Sequence, residues 1–206
     1  MGAEPARRRW RARRAGAALL GALLAPPPAA AAAADAAGER ASLEIAAPAQ
    51  RLLAAVADWP HYPEFFPFVT RSRVRAEGTG ETLVDQVIDP PGPGPARRLT
   101  VRAEHGATAG PRGTVRWVRW KAVDGTATQG EWTLTDLGGD RTRVDLFLVL
   151  DLGRGRGHRG WAARRTLPWA LDGLRQHAGR CRYDRPVHPT CDEEPAYRPG
   201  DLPAAP

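Results

Sequence analysis

The chain has 206 residues with 30 basic and 23 acidic side chains, so its net charge is +7. This charge is uneven, because residues 1–34 hold six arginines and one glutamate, whereas the remainder has 24 basic and 22 acidic residues. That remainder lacks the strongly basic surface expected of a nucleic-acid-binding domain. The length suits one folded domain with extra segments at its ends.

The N-terminal segment has the pattern of a secretory signal peptide. A basic run, RRRWRARR at 7–14, precedes the apolar stretch AGAALLGALLA at 15–25 and an alanine-rich zone. Eleven apolar residues are too few for a membrane span, which takes about 18 or more. The sequence therefore predicts a signal peptide over 1–34, export to the periplasm or the extracellular space, and no integral membrane segment after cleavage. A transit peptide and a short uncleaved anchor are the alternatives.

The region after the signal opens with a short strand at 42–45 and an amphipathic helix, AQRLLAAVAD, that follows Pro48. Pro60 ends this helix. The segment WPHYPEFFPFV at 59–69 comes next, with five aromatic residues and three prolines. Such a segment is too irregular for a long helix or a central strand, and short helical turns are expected.

From residue 69 the hydrophobic pattern changes to a period of two, which is typical of strands with one buried face. Short turns join the strands, so the pattern predicts an antiparallel meander that is covered on one side. Its six predicted strands are 69–77, 82–89, 97–105, 114–123, 128–137 and 141–152. The amphipathic helix predicted at 160–179 provides the cover. The proline-rich tail at 180–206 is predicted to be irregular.

Several motifs occur in a characteristic order: IAAPA at 45–49, DWPHYPEFFP at 58–67, WKAVDG at 120–125, GEWTL at 130–134 and RTRV at 141–144. In order and spacing they resemble the START and polyketide-cyclase-like helix-grip superfamily (SRPBCC), close in pattern to its coenzyme-Q-binding members. The resemblance spans residues 42–179. It implies an α+β helix-grip fold, in which a curved antiparallel sheet of about seven strands wraps around a long C-terminal helix, with two short helices after strand 1.

The resemblance also implies a hydrophobic cavity between the sheet and the long helix. The residues expected to line it are Phe65, Phe66, Val74, Leu99, Val101, Trp120, Trp132, Leu134, Leu146, Leu148, Leu167, Leu171 and Leu174. Trp117 and Trp120 cannot both face inward on a regular strand, and Trp120 is taken as the inward one because it belongs to the WKAVDG motif. Asp85 and Gln86 are neighbours on one strand, so one of them also points inward.

Two motifs invite a catalytic interpretation. His61 and Glu64 could supply a base and an acid near the cavity mouth, although an ordinary exposed pair is the simpler interpretation. GRGHRG at 155–160 fits the dinucleotide-binding pattern in letters, but no parallel strand follows the helix, so it is interpreted as the entry to that helix. No catalytic residue is assigned, and no cofactor is expected.

Cys181 and Cys191 are the two cysteines of the chain. In an exported protein such a pair predicts a disulfide. Free thiols are one alternative, and a metal site with His188 and Asp192 is another, but the tight ligand pairs typical of zinc motifs are absent. The sequence therefore favours the disulfide and predicts no metal.

The favoured function is an exported protein that holds a hydrophobic small molecule or lipid in this cavity, with no nucleic-acid partner. A fold alone does not choose one activity, because the superfamily includes carriers, quinone binders, cyclases and hydrolases. The main alternative is a cyclase or aromatase-like enzyme that uses the same cavity. A third is an envelope interaction domain whose cavity is filled by its own side chains.

Overall fold

The structure is a computed structural model that describes residues 38–89, 95–111, 113–123, 126–151, 156–183 and 190–191. The predicted signal peptide (1–34) and most of the predicted tail lie outside these ranges, as do His188 and Asp192. None of the described helices combines the length and the apolar character needed to cross a membrane.

The described residues form the predicted helix-grip fold. The strands of the main sheet are β1 (Glu39–Ile45), β2 (Val69–Glu77), β3 (Glu81–Ile88), β4 (Arg97–Gly110), β5 (Gly113–Ala122), β6 (Gln129–Gly138) and β7 (Arg141–Val149). The α-helices are α1 (Ala49–Ala57), α2 (Tyr62–Phe65) and the long α3 (Arg156–Arg180). A 3-10 turn at Trp59–His61 precedes α2, and a short ladder joins β8 (Cys181–Arg182) to β9 (Thr190–Cys191).

The seven long strands form one antiparallel sheet in the order β1-β7-β6-β5-β4-β3-β2. The six strands from β2 to β7 are a meander, as the short turns of the sequence predict. β1 returns to pair with β7, with Leu43 opposite Val144. Strands β1 and β2 are therefore the two edges, and the helical segment that connects them crosses the face of the sheet.

Alternation along the strands separates a dry inner face from a wet outer face. On the inner face Val84, Val101 and Leu146 are fully buried, whereas the outer face carries exposed side chains such as Arg102 and Arg143. Helix α3 packs against β1 and β7 and also contacts α1 and α2. The inner face and these helices share one hydrophobic core.

Strand β4 is longer than the sequence predicts, and the expectation of a loop at 106–113 is wrong. The ladder between β4 and β5 continues to the pair Gly110 and Gly113. Cross-strand packing requires a glycine in this stretch. A Cβ on Gly106 would lie 2.5 Å from Cζ2 of Trp117, so glycine leaves room for the indole ring of the neighbouring strand.

The expectation of an irregular tail is also wrong at 181–182 and 190–191, which form the β8–β9 ladder.

Helix α3 approaches α2 closely at Gly173. A Cβ at this position would lie 2.4 Å from the carbonyl oxygen of Phe65, which is too close for any real contact. A backbone atom cannot move aside as a flexible side chain can. Gly173 therefore sets the distance between the long helix and the aromatic segment.

We expect Gly173→Ala to lower the free energy of unfolding by about 1–3 kcal/mol, because the added methyl group forces α2 and α3 apart. Gly179→Ala is the matched control on the same helix, since a Cβ at Gly179 meets nothing within 4 Å. The control should leave stability unchanged or raise it by up to about 1 kcal/mol through helix propensity. Urea denaturation of both variants checks this, and equal effects of the two substitutions would contradict the close approach.

Candidate functional site

The aromatic segment at 59–69 lies between α1 and the sheet, and its rings pack on one another. Tyr62 is at the centre of this group. Its ring stacks on Trp59 with centroids 4.4 Å apart, and it contacts Phe65 at 4.9 Å and Phe66 at 5.6 Å. The irregular backbone that the three prolines impose thus directs these aromatic side chains into the interior.

The hydroxyl of Tyr62 links this segment to the middle of the sheet. It donates a hydrogen bond to the carbonyl oxygen of Val56 at 2.9 Å and accepts one from Nε1 of Trp132 at 3.1 Å. Both Tyr62 and Trp132 are fully buried. Burial raises the pKa of the Tyr62 hydroxyl far above its usual range, so the hydroxyl stays protonated.

Trp120 faces the interior, and its ring crosses the neighbouring strand at Gly130. A Cβ on Gly130 would lie 2.2 Å from Cζ2 of Trp120, so only glycine leaves room for the indole there. The rings of Phe66, Trp120 and Trp132 are mutually 6.1–6.4 Å apart, with Phe66 edge-on to both tryptophans. The glycine of the GEWTL motif thus leaves the space that the tryptophan of the WKAVDG motif occupies.

The predicted lining residues fall into two groups by exposure. Most of them are at most 4% exposed and pack within the core: Phe65, Val101, Trp132, Leu134, Leu146, Leu148, Leu167, Leu171 and Leu174. Four keep more contact with solvent: Phe66 and Trp120 at 6%, Leu99 at 9%, and Val74, which is partly buried. Side chains therefore fill the interior beside α3, and Val74 on β2 is the one predicted lining residue that is only partly buried.

The buried polar side chains of the described residues are Gln86, Thr128, Thr142, Thr166 and His177. Of the pair that the sequence left open, Gln86 points inward, where its amide Nε2 lies 3.4 Å from the hydroxyl of Ser72. Asp85 points outward and accepts a hydrogen bond from Thr100 at 2.8 Å. The inner face near β2 and β3 thus carries a polar pair that does not titrate.

An open groove of about 580 Å³ lies along β2, β3 and β4. The side chains around it are mostly on the outer face, among them Arg71, Arg73, Arg98 and Asp85. Gln86 and Leu99 border the groove as well, although their side chains face the interior. This groove is distinct from the cavity that the sequence predicts on the other side of the sheet.

Imidazole and carboxylate groups alternate along the ends of α2 and α3. Nδ1 of His61 lies 2.8 Å from Asp58, and Nε2 lies 3.8 Å from Glu64. The other carboxylate oxygen of Glu64 lies 3.3 Å from Nδ1 of His177, which is fully buried. The hydrogen bond from His177, together with the nearby charges of His61 and Arg180, holds the pKa of Glu64 below its usual range.

The same end of α3 holds the cysteine pair. Cys181 and Cys191 form a disulfide, and Sγ of Cys181 lies 3.4 Å from Nδ1 of His177. Nε2 of His177 is 2.6 Å from the hydroxyl of Tyr183. His177 belongs to none of the sequence motifs, and His61 is the only partner that the sequence suggested for Glu64. The signal available in the sequence is the short distance along the chain between His177, in the last turn of α3, and Cys181, directly after that helix.

Comparisons with known proteins agree with this geometry. Residues 45–172 match the family model described as polyketide cyclase / dehydrase and lipid transport. The fold is similar to that of the Zhui aromatase/cyclase from Streptomyces sp. R1128, with 21% identity, a TM-score of 0.51, and coverage of 69% of this chain and 93% of that chain. It is also similar to the STAR-related lipid transfer protein (fragment 25–204) from Xanthomonas axonopodis, with 18% identity, a TM-score of 0.57, and coverage of 68% and 85%. No curated protein matches the chain by sequence.

Removal of the Tyr62 hydroxyl leaves two buried polar groups, the carbonyl of Val56 and Nε1 of Trp132, without this partner. We expect Tyr62→Phe to lower the free energy of unfolding by about 1–3 kcal/mol, the usual cost of such groups. The double variant Tyr62→Phe/Trp132→Phe should show coupling, because the second substitution removes the donor that the first leaves unsatisfied. Chemical denaturation of the two single variants and the double variant measures the coupling, and additive effects would contradict the bridge.

Asp85 is predicted to make stability depend on pH in the acid range. The hydrogen bond from Thr100 and the charges of Arg75 and Arg73 hold the pKa of Asp85 below its ordinary value of 3.8. Its ionised form therefore stabilises the fold above pH 3.8, and this contribution is lost as the pH falls through the lowered pKa. Asp85→Asn should cost less than about 1 kcal/mol at pH 7, because the site is partly exposed. Denaturation of the wild type and of Asp85→Asn at pH 7 and near pH 2 measures the gap between their free energies of unfolding. The gap should shrink at the lower pH, and an unchanged gap would contradict a stabilising role of the ionised Asp85.

Proposed function

Because the chain belongs to the polyketide cyclase / dehydrase and lipid transport family, we propose that it binds a hydrophobic small molecule or a lipid between the sheet and α3, without covalent chemistry. The observation that carries this proposal is the continuous apolar inner face, which faces large aromatic and aliphatic side chains of the helices. Burial of an apolar ligand there contributes about 25 cal/mol for each Å² removed from water.

The exposure of the lining residues supports a particular entry side. The side chains nearest α3 are closely packed, whereas Phe66, Val74, Leu99 and Trp120 keep some exposure. We therefore expect the ligand to lie against β2–β5, with the Gln86 amide available to hydrogen-bond a carbonyl or hydroxyl group of the ligand.

The chemistry of the interior supports binding over catalysis. An enzyme that cyclises a reactive chain needs groups that exchange protons near the operating pH. The Tyr62 hydroxyl, which lies among the aromatic rings, has a raised pKa, and its hydrogen bonds to Val56 and Trp132 already occupy it. The Gln86 amide can orient a ligand but cannot transfer a proton.

A cyclase or aromatase-like activity is the second candidate, and one observation favours it. The inward Gln86 is buried at 5% exposure and could hold a polyketide carbonyl in a bent conformation. In such an enzyme the interior would act by orientation more than by proton transfer.

If no ligand binds, the third alternative applies: an interaction domain whose interior is permanently filled by its own side chains.

We also propose that the protein is exported and that quinones are one of the ligand classes it could bind. Export is supported by the basic and apolar N-terminal pattern at 1–34 and by the Cys181–Cys191 disulfide, since disulfides persist in oxidising compartments. A quinone is included because the motifs at 58–67 and 120–125 are close in pattern to coenzyme-Q-binding proteins. Mass measurement of the chain recovered from the periplasm or the medium tests export through the loss of the first 30 to 40 residues or so.

We expect Val74→Trp to weaken binding of a fluorescent fatty acid at least about tenfold, because the larger side chain occupies the entry side of the interior. Val74 is only partly buried, so the fold should tolerate the change. The matched control is Arg75→Trp, which places the same side chain on the exposed outer face of the same strand.

Fluorescence titration of the wild type and of both variants measures the dissociation constants, and circular dichroism verifies the folds. Arg75→Trp should bind as the wild type does. Equal weakening by both substitutions would contradict the placement of the ligand. Absence of binding by the wild type to fatty acid, ubiquinone and a polyketide analogue alike would remove the binding proposal and leave the filled-interior interpretation.

A further inference from the structure

Four potential metal ligands converge at the C-terminal end of α3. One oxygen of Glu64, a ring nitrogen of His177 and the sulfurs of Cys181 and Cys191 all lie within 4.8 Å of one another. Three separate segments supply them: α2, the last turn of α3 with β8, and β9. His177 and Cys181 are fully buried, and Glu64 is 31% exposed on its side chain.

We propose that, when the two cysteines are reduced, these four residues bind one zinc ion or a similar thiophilic divalent cation. Two thiolates, one imidazole and one carboxylate are ligands that zinc accepts in tetrahedral sites. The disulfide and the metal site are alternative states of the same two sulfur atoms. This inference does not depend on the ligand proposed for the apolar interior.

The distances support a common centre. Zinc bonds of about 2.0–2.3 Å in a tetrahedron place neighbouring ligand atoms about 3.3–3.8 Å apart. Nδ1 of His177 lies 3.3 Å from the Glu64 oxygen and 3.4 Å from the Cys181 sulfur. Two of the six edges of the tetrahedron are therefore already present. The two sulfurs must separate after reduction, and the ligand atoms that now lie up to 4.8 Å apart must come closer together.

The hydrogen bonds around His177 also fit a metal ligand. Its Nε2 lies 2.6 Å from the Tyr183 hydroxyl, and metal-binding histidines commonly donate their second ring N–H to such a partner. In the disulfide state Nδ1–H donates to Glu64 and Nε2 accepts from Tyr183. In the metal state Nδ1 binds the ion, Nε2 carries the proton, and Tyr183 becomes the acceptor.

The surroundings favour a closed, structural site. The Phe65 ring lies 5.0 Å from the His177 ring, centre to centre, and shields it from water on one side. Arg51 of α1 donates a hydrogen bond to the Cys181 carbonyl oxygen at 2.9 Å, which holds the end of α3 in place. A bound ion would connect the aromatic segment to β9, as the disulfide now connects β8 to β9.

The redox balance is simple. Reduction of the disulfide by a dithiol reductant gives two thiols and leaves the reductant as a cyclic disulfide. Binding of the cation then releases the two thiol protons. Oxidation by a soluble disulfide reverses the process: one protein disulfide and two small thiols form, and the cation is set free.

The test is titration of the full chain with Co²⁺ and Zn²⁺ under anaerobic conditions, before and after reduction. The reduced protein should bind one Co²⁺ with thiolate-to-cobalt charge-transfer absorption, and Zn²⁺ should displace it with release of about two protons overall from the metal-free form. The disulfide form should bind at least 100-fold more weakly and show no charge-transfer band. Absence of that band after reduction, or equal affinities of the two forms, would overturn the proposal.

Variants separate a four-ligand site from a cysteine pair that binds metal alone. Glu64→Gln should raise the dissociation constant for Co²⁺ at least tenfold while the thiolate band persists. Glu81→Gln, the same substitution at an exposed position on β3, should change nothing. Cys191→Ser should lose about half of the charge-transfer intensity. An unchanged dissociation constant in Glu64→Gln would contradict the role of the carboxylate, and this variant keeps the test decisive if substitutions of buried His177 prevent folding.

Discussion

The hydrogen bonds of the Tyr62 hydroxyl determine how the helical segment meets the sheet. In a dry interior both Nε1 of Trp132 and the carbonyl of Val56 need a partner, and this single hydroxyl satisfies both. With Tyr62 fixed, α2 has one orientation on the sheet. That orientation brings the Phe65 backbone against Gly173 and sets Glu64 beside His177. The close approach that Gly173 permits and the cluster of polar groups at the end of α3 both involve the segment that this contact holds on the sheet.

The sheet separates two chemical environments. Its inner face offers apolar and aromatic surface with the non-titrating Gln86 amide, whereas its outer face carries arginines and the groove along β2–β4. The imidazole of His177, the carboxylate of Glu64 and the two cysteine sulfurs form a third environment at the end of α3. A ligand in the interior and a cation at His177 would both contact the aromatic segment at 59–69. Phe65 packs on Tyr62 and Phe66 on Trp132, whereas Glu64 lies near the two cysteines.

The sequence could predict the fold because its patterns follow directly from burial. Period-two alternation marks the strands, and the WKAVDG motif identified Trp120 as the inward-facing tryptophan of β5. It could not reveal the full length of β4, because GATAG consists of small residues typical of loops, and only the packing of Trp117 shows why they suit a strand. The convergence of Glu64 on His177 was also inaccessible, since these residues are 113 positions apart and meet only after α3 folds back.

The most direct test of the central claim is mass spectrometry of an organic extract of the purified protein. If the inner face is a binding surface, the extract should contain one class of lipid, quinone or other apolar molecule, approaching one molecule for each chain. The same extraction of Val74→Trp should yield several-fold less, because Val74 lies on the entry side of the interior. Extracts of both proteins that contain no apolar molecule, together with native spectra at the mass of the chain alone, would contradict the claim that this interior holds a ligand.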